Sequence, residues 1–176
     1  MTQFLRKTAL AAGALLAAMA GPAAAQTAQQ PNDEVVATYG AWDIRCTPAR
    51  EVCVMHQVGK GASGNNLLEV RVRKLEGVTA DNGQVIPAAI QIAAPLGVLL
   101  QGGVRIQVDG GETRALPFQI CVEGGCLVRD ALPSPLLERM KAGANARMTV
   151  VSPSQGEVSV DISLSGFTRS FSELEP

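Results

Sequence analysis

Apolar and polar side chains alternate along several short segments of the chain. In 41–46, 68–73 and 104–108 every second side chain is apolar, which is the period of a strand with one buried face. The Asp109-Gly110 pair then supplies the positive backbone angles of a tight hairpin. Further strands are predicted at 52–58, 112–116, 118–122, 126–130, 146–151 and 157–164. About eight to ten short strands indicate a mainly β or all-β fold, an antiparallel sandwich or barrel.

One apolar segment, 85–92, is interrupted by Pro87. Proline has no backbone N–H to donate to a neighbouring strand, so it is found at sheet edges, strand starts or bends. The segment is therefore predicted to be an edge strand or a bent strand.

One or two short helices complete the predicted fold. Ser134 is predicted to cap a helix with Pro135 in its first position, and the helix should stop at Gly143. Near the end of the chain, Phe167 and Phe171 are spaced for a closing helical turn rather than for a strand.

The first residues have the pattern of an export signal. Arg6 and Lys7 precede an apolar run at 9–20, and Ala23-Ala24-Ala25 provides the small residues of a cleavage site. Cleavage after Ala25 removes 25 of the 176 residues and leaves 151, the size of one domain. The predicted organisation is a signal peptide at 1–25, a flexible linker at 26–36 and a single β-rich domain at 37–176.

Charge and hydropathy argue against nucleic-acid binding and membrane spanning. Without Arg6 and Lys7 the 15 Lys and Arg become 13 against 16 Asp and Glu, a net charge of −3, and aromatic residues are 3% of the chain. Nucleic-acid binding needs clustered cations and stacking aromatics. The apolar run at 9–20 is also shorter than the roughly twenty residues of a membrane span. We therefore expect an exported protein in the periplasm, at the outer membrane or secreted.

Four cysteines in an exported chain are read first as two disulfides. If the segments between Cys46 and Cys53 and between Cys121 and Cys126 are hairpin loops, each pair faces across antiparallel strands. These local pairings are our first prediction. Crossed pairings, which would close much longer loops, stay open at this level.

His56, the single histidine, is the main candidate for a catalytic or metal-binding residue. It has no partners in the sequence that form a recognisable catalytic triad, and a disulfide would leave no thiol nucleophile beside it. Adjacent strand residues point to opposite faces, so Met55 and His56 should not converge on copper, and His56 is expected to be exposed or partly buried. No catalytic residue, metal site or cofactor is predicted.

A series of short segments, recognisable together by their order and spacing, runs through most of the chain after the leader. These are Tyr39-Gly40-Ala41-Trp42-Asp43-Ile44-Arg45-Cys46 with Cys53, Pro95-Leu96-Gly97-Val98-Leu99-Leu100 with Gly103-Val104, Val108-Asp109-Gly110-Gly111, Leu116-Pro117-Phe118 with Cys121 and Gly125-Cys126, Lys141-Ala142-Gly143, and Ser163-Leu164-Ser165-Gly166-Phe167. In these segments the chain resembles the invasion-associated locus B proteins of alphaproteobacteria. The resemblance implies a small exported β-rich protein of the cell envelope, linked in some members to host-cell entry, and it supplies no catalytic motif.

Two hypotheses about function follow. The first is a non-catalytic envelope protein that binds a protein, a lipid or a cell-wall component through its sheet edges and loops, with loops 59–66 and 77–84 as candidates. The second is a small periplasmic enzyme or metal carrier centred on His56. A polar pocket converging on His56 would favour the second.

Overall fold

The computed structural model describes residues 33–62 and 64–175, and the predicted signal peptide and most of the predicted linker lie outside them. The described chain forms two antiparallel sheets. The larger one has seven strands in the order β1-β2-β3-β4-β5-β9-β8. Its strands are β1 (Glu34–Tyr39), β2 (Trp42–Cys46), β3 (Cys53–Lys60), β4 (Asn66–Lys74), β5 (Ala88–Ala94), β8 (Ile120–Val122) and β9 (Gly125–Leu132).

The smaller sheet has four strands in the order β11-β10-β6-β7. They are β6 (Val104–Val108), β7 (Thr113–Leu116), β10 (Asn145–Ser152) and β11 (Gly156–Ser163). Two helices, α1 (Ser134–Ala142) and α2 (Phe167–Glu173), and a 3-10 turn at Leu100–Gly102 complete the described elements.

A single apolar core lies between the two sheets. The mainly β prediction is therefore confirmed, and of its two alternatives, sandwich and barrel, the fold is a sandwich. One row of inward side chains crosses the large sheet through register partners Ile44, Met55, Val72 and Ile90, all at most 5% exposed. The small sheet faces it with residues such as Ile106, in the same core cluster. Burying such rows supplies most of the stability of the fold.

The sheets are also joined along one edge by polar contacts to β11. The Gln57 side-chain amide in β3 donates to the Ser163 carbonyl and accepts from the Ser163 N–H, both at 2.9 Å. The same carbonyl accepts from Trp42 Nε1 at 2.8 Å, and the Trp42 ring packs edge-on to Phe167 at 5.2 Å. At this edge of β11, the Gln57 side chain therefore makes the two hydrogen bonds that the backbone of a neighbouring strand would otherwise make.

Both disulfides have the predicted local pairing. Cys46 bonds to Cys53 at 2.05 Å, and Cys121 bonds to Cys126 at 2.04 Å. In each pair the two cysteines are direct register partners across a hairpin. The crossed alternatives are therefore wrong.

The prediction for 85–92 was wrong. The strand begins at Ala88 and is central, because β4 and β9 flank it on either side. Pro87 precedes the strand, where no ladder N–H is required, and its carbonyl accepts from Leu75 N at 2.9 Å. Val85 instead forms an isolated bridge to Thr79.

Three boundaries also differ from the prediction. The predicted linker 26–36 overlaps β1, since Glu34 already pairs with Cys46. Helix α1 is capped by Pro133, not Ser134, because the Pro133 carbonyl accepts the first helical bonds at 3.0 Å and no side chain caps the helix. Within the predicted loop 59–66, Gly59 is a buried strand residue. A side chain there would collide with Ile162 of β11.

Candidate binding groove

A groove of about 670 Å³ lies on the outer face of the seven-stranded sheet. Residues 75–87 connect β4 to β5, and we call this segment the 75–87 lobe. The groove lies between the lobe and the outward side chains of β3, β4, β5 and β9. Its volume falls within the range of small-molecule sites, about 300–1,000 Å³.

The 75–87 lobe is ordered by its own backbone hydrogen bonds. Ile86 N donates to the Val78 carbonyl at 2.9 Å, and Ala80 N donates to the Gln84 carbonyl at 2.8 Å. These bonds hold the two arms of the lobe together like a small hairpin. Val78 and the buried Ile86 line the groove.

The floor of the groove exists because two outward positions hold alanine. Ala89 pairs in register with Arg73 of β4 on one side and with Ala131 of β9 on the other. Larger side chains at either alanine would occupy the space under the lobe. Val54, Leu75 and Val78 add to a lining that is mostly apolar.

Three arginines border this apolar floor. The next register row contains Arg71, Gln91 and Arg129, so Arg73 and Arg129 occupy diagonal corners of a block of three strands and two rows. From a strand spacing of about 4.8 Å and a rise of about 3.3 Å per residue, their Cα atoms lie roughly 12 Å apart. Both side chains are exposed.

The arginines differ in how their charge is balanced. Arg71 contacts Asp33 at 2.8 Å and Glu69 at 2.7 Å, so its charge is neutralised within the protein. Arg129 donates to the neutral Gln91 amide at 3.2 Å. Among the described residues, neither Arg73 nor Arg129 has a carboxylate within ion-pairing distance. The remaining charged lining residue, Asp130, is 3.3 Å from Arg114 of the other sheet. The groove therefore has an excess of positive charge.

His56 belongs to a polar network beside the groove. It is 7% exposed, and its Nε2 lies 3.2 Å from Glu69 Oε1. Its hydrogen bond, assisted by Arg71, lowers the pKa of Glu69 to about 2 against the opposing effect of burial. The prediction that His56 would be exposed or partly buried was wrong, because Glu69 and Arg71 of the adjacent strand flank it on the outer face.

The structure separates most of the residues that the sequence singled out. Met55 is fully buried in the core, whereas His56 faces outward in register with Asp43 and Arg71. Within 33–62 and 64–175, no three His, Cys, Asp or Glu side chains converge as a metal-binding group. Of the two candidate loops, 77–84 contributes Val78, Thr79 and Ala80 to the groove, and none of the described residues of 59–66 lines it.

Sequence reasoning missed Arg73, Ala89, Arg129 and Ala131. They lie in three strands, and Arg73 is more than fifty positions from Arg129 along the chain. The sequence contained one local indication of these residues: the outward positions of 68–73 are the charged residues Glu69, Arg71 and Arg73.

These features define a small β-sandwich with two hairpin disulfides and a ligand-sized groove on one sheet. The family model of the invasion-associated locus B (IalB) protein matches residues 42–175, and the chain belongs to this family. The fold is similar to the crystal structure of invasion-associated protein B from Bartonella henselae, with a TM-score of 0.60 and 24% sequence identity. That match covers 77% of this chain and 92% of the Bartonella chain.

No match was found among curated proteins. Within the part of the chain that the structure describes, no helix is both long and apolar enough to cross a membrane.

Proposed function

We propose that the protein is an exported, non-catalytic envelope protein that acts by binding an envelope component or a protein partner in the groove under the 75–87 lobe. The single observation that carries this proposal is the groove itself. It has a preformed apolar floor and two arginines without carboxylate partners. Sites for small ligands commonly combine such a lining with a few polar groups that fix orientation.

Export is supported by three independent features. The leader pattern at 1–25 predicts cleavage after Ala25. Two disulfides and no free cysteine among the described residues fit an oxidising compartment. The chain belongs to a family that is named after an invasion-associated protein. We propose the periplasm as the location and, where the producing bacterium meets a host, a contribution to host-cell interaction.

The second hypothesis, an enzyme or metal carrier centred on His56, has one contact in its favour. This is the His56–Glu69 pair at 3.2 Å. Glu69 is already engaged by Arg71 at 2.7 Å, and His56 is buried. The groove is therefore the better-supported site.

Site-specific photocrosslinking in living cells tests the proposal. A photoreactive residue replaces Val78 on the lobe or Gln91 in the groove, and the matched control position is Thr113 on the outer face of the other sheet. We expect discrete crosslinked species from Val78 and Gln91 in the periplasmic fraction. Filling the groove with Ala131→Leu should abolish them.

Two results would overturn the proposal. One is the absence of any crosslinked species from the groove positions in cells that export the protein. The other is the same species from Thr113 as from Val78. N-terminal sequencing of the exported protein checks cleavage in the same samples, and a start at Gln26 is expected.

A further inference from the structure

We propose that the groove binds a single-chain amphiphile with a carboxylate head group, such as a long-chain fatty acid. The inference rests on the proposed function and goes further by naming the chemistry of the ligand. It depends on two observations that coincide in one place: a mostly apolar floor under the lobe, and two exposed guanidinium groups at its border without carboxylate partners.

The apolar part of the ligand is matched by the floor and roof. Ala89 and Ala131 leave room above the sheet, and Val54, Val78 and Ile86 surround that room. A hydrocarbon chain placed there would remove apolar surface of both partners from water, which is favourable in proportion to the area buried. A wholly polar ligand would gain nothing from this lining.

The charged part is matched by Arg73 and Arg129. Guanidinium groups present parallel N–H donors that fit both oxygens of a carboxylate. Because the two residues lie at diagonal corners around Ala89 and Ala131, their long side chains can approach one anionic group from opposite sides. Arg71 is less suited to this role, since Glu69 and Asp33 already accept its hydrogen bonds.

The charge pattern also selects against other amphiphiles. A cationic head group would meet two uncompensated positive charges, and Asp130 is held by Arg114. A neutral head group would leave both arginines as they are in the free protein. The groove should therefore discriminate by head-group charge at constant chain length.

Isothermal titration calorimetry on the purified exported protein tests the inference, with probes kept below their micelle-forming concentrations. Dodecanoate should bind with one-to-one stoichiometry. Dodecyltrimethylammonium should bind at least about tenfold more weakly, and butyrate at least about 100-fold more weakly because it lacks most of the chain.

Two variants locate the site. Arg73→Gln with Arg129→Gln should weaken dodecanoate binding at least about tenfold, because both charged donors are lost. The matched control, Arg105→Gln with Arg147→Gln, removes two arginines from the other sheet and should leave affinity within about twofold. Ala131→Leu should abolish binding by filling the floor. Unfolding curves followed by Trp42 fluorescence verify that each variant is folded.

The inference is overturned if dodecanoate does not bind, if it binds the Arg73/Arg129 double variant as tightly as wild type, or if dodecyltrimethylammonium binds equally well. These outcomes are separable from failure of the proposed function. Crosslinking from Val78 that persists without dodecanoate binding would reject the fatty-acid ligand and keep the groove as a binding site. The absence of both the Val78 crosslinks and dodecanoate binding would reject the groove as a binding site.

Discussion

Gln57 provides the sharpest test of how the two sheets are held together. Its side-chain amide makes two hydrogen bonds to the Ser163 backbone, both at 2.9 Å, and so continues the edge of β11 toward β3. Gln57→Leu keeps most of the volume and removes both bonds. Each hydrogen bond contributes about 1 kcal/mol net, and the part-buried Ser163 N–H left without a partner adds a further cost. We expect a loss of about 2 to 3 kcal/mol in the free energy of unfolding.

Gln57→Glu separates the two bonds. A carboxylate can still accept from the Ser163 N–H, but its second oxygen faces the Ser163 carbonyl, where the amide donated. At neutral pH the variant should be about as unstable as Gln57→Leu. Protonation of the carboxyl restores a donor, so its deficit relative to wild type should shrink by about 1 kcal/mol near pH 4.

Urea unfolding followed by the fluorescence of Trp42 measures these differences. Trp42 is the single tryptophan, is fully buried, and donates to the same Ser163 carbonyl. In a thermal scan a loss of 1 kcal/mol corresponds to about 3 °C, so Gln57→Leu should lower Tm by about 6 to 9 °C. The matched control is Gln107→Glu, an exposed-site change that should cost under about 0.5 kcal/mol. A Gln57→Leu protein within 0.5 kcal/mol of wild type, or a Gln57→Glu deficit that does not change with pH, would refute this account.

Three further predictions concern other parts of the fold. Because the folded pKa of Glu69, about 2, lies below its ordinary value of 4.5, its ionised form stabilises the protein above about pH 4.5, and this contribution is lost as the pH falls toward 2. Because Glu69 is partly exposed, this contribution to stability is about 1 kcal/mol. The Glu69→Gln variant should not show this loss of stability when the pH is lowered. Replacing Cys46 and Cys53 with alanine should cost at least about 2 kcal/mol in urea unfolding, and a smaller loss would contradict the loop-entropy estimate. Gly166→Ala would place a methyl group against the Tyr39 carbonyl, so calorimetry should show a loss above about 3 kcal/mol in the free energy of unfolding. The control Gly77→Ala, also at a left-handed position but with open space around it, should lose about 1 to 2 kcal/mol. Equal losses in the two variants would show that the close approach at Gly166 is unimportant.

The strands and disulfides were predictable because their causes are local. Alternation in 68–73 requires only that one face of β4 is buried, and each cysteine pair is separated by a hairpin loop. The order of strands in the sheets depends on distant partners. Pro87 indicated an edge strand, yet β5 is central because the proline lies just outside the ladder.

The groove could not be predicted for a related reason. Ala89 and Ala131 are weak strand formers with no chemical signature, and they matter only because β5 pairs with β9 under the lobe. The burial of His56 likewise follows from Glu69 and Arg71 in the adjacent strand. In both cases tertiary pairing determined the outcome, and periodicity along one strand contains no information about it.

Native mass spectrometry of the protein purified gently from the cells that naturally produce it tests the central claim most directly. If the groove is the working site, wild-type protein should show a discrete additional mass, and Ala131→Leu prepared in parallel should show the mass of the chain alone. Identical spectra for the two proteins, whether bare or with the same adduct, would contradict the assignment of function to the groove.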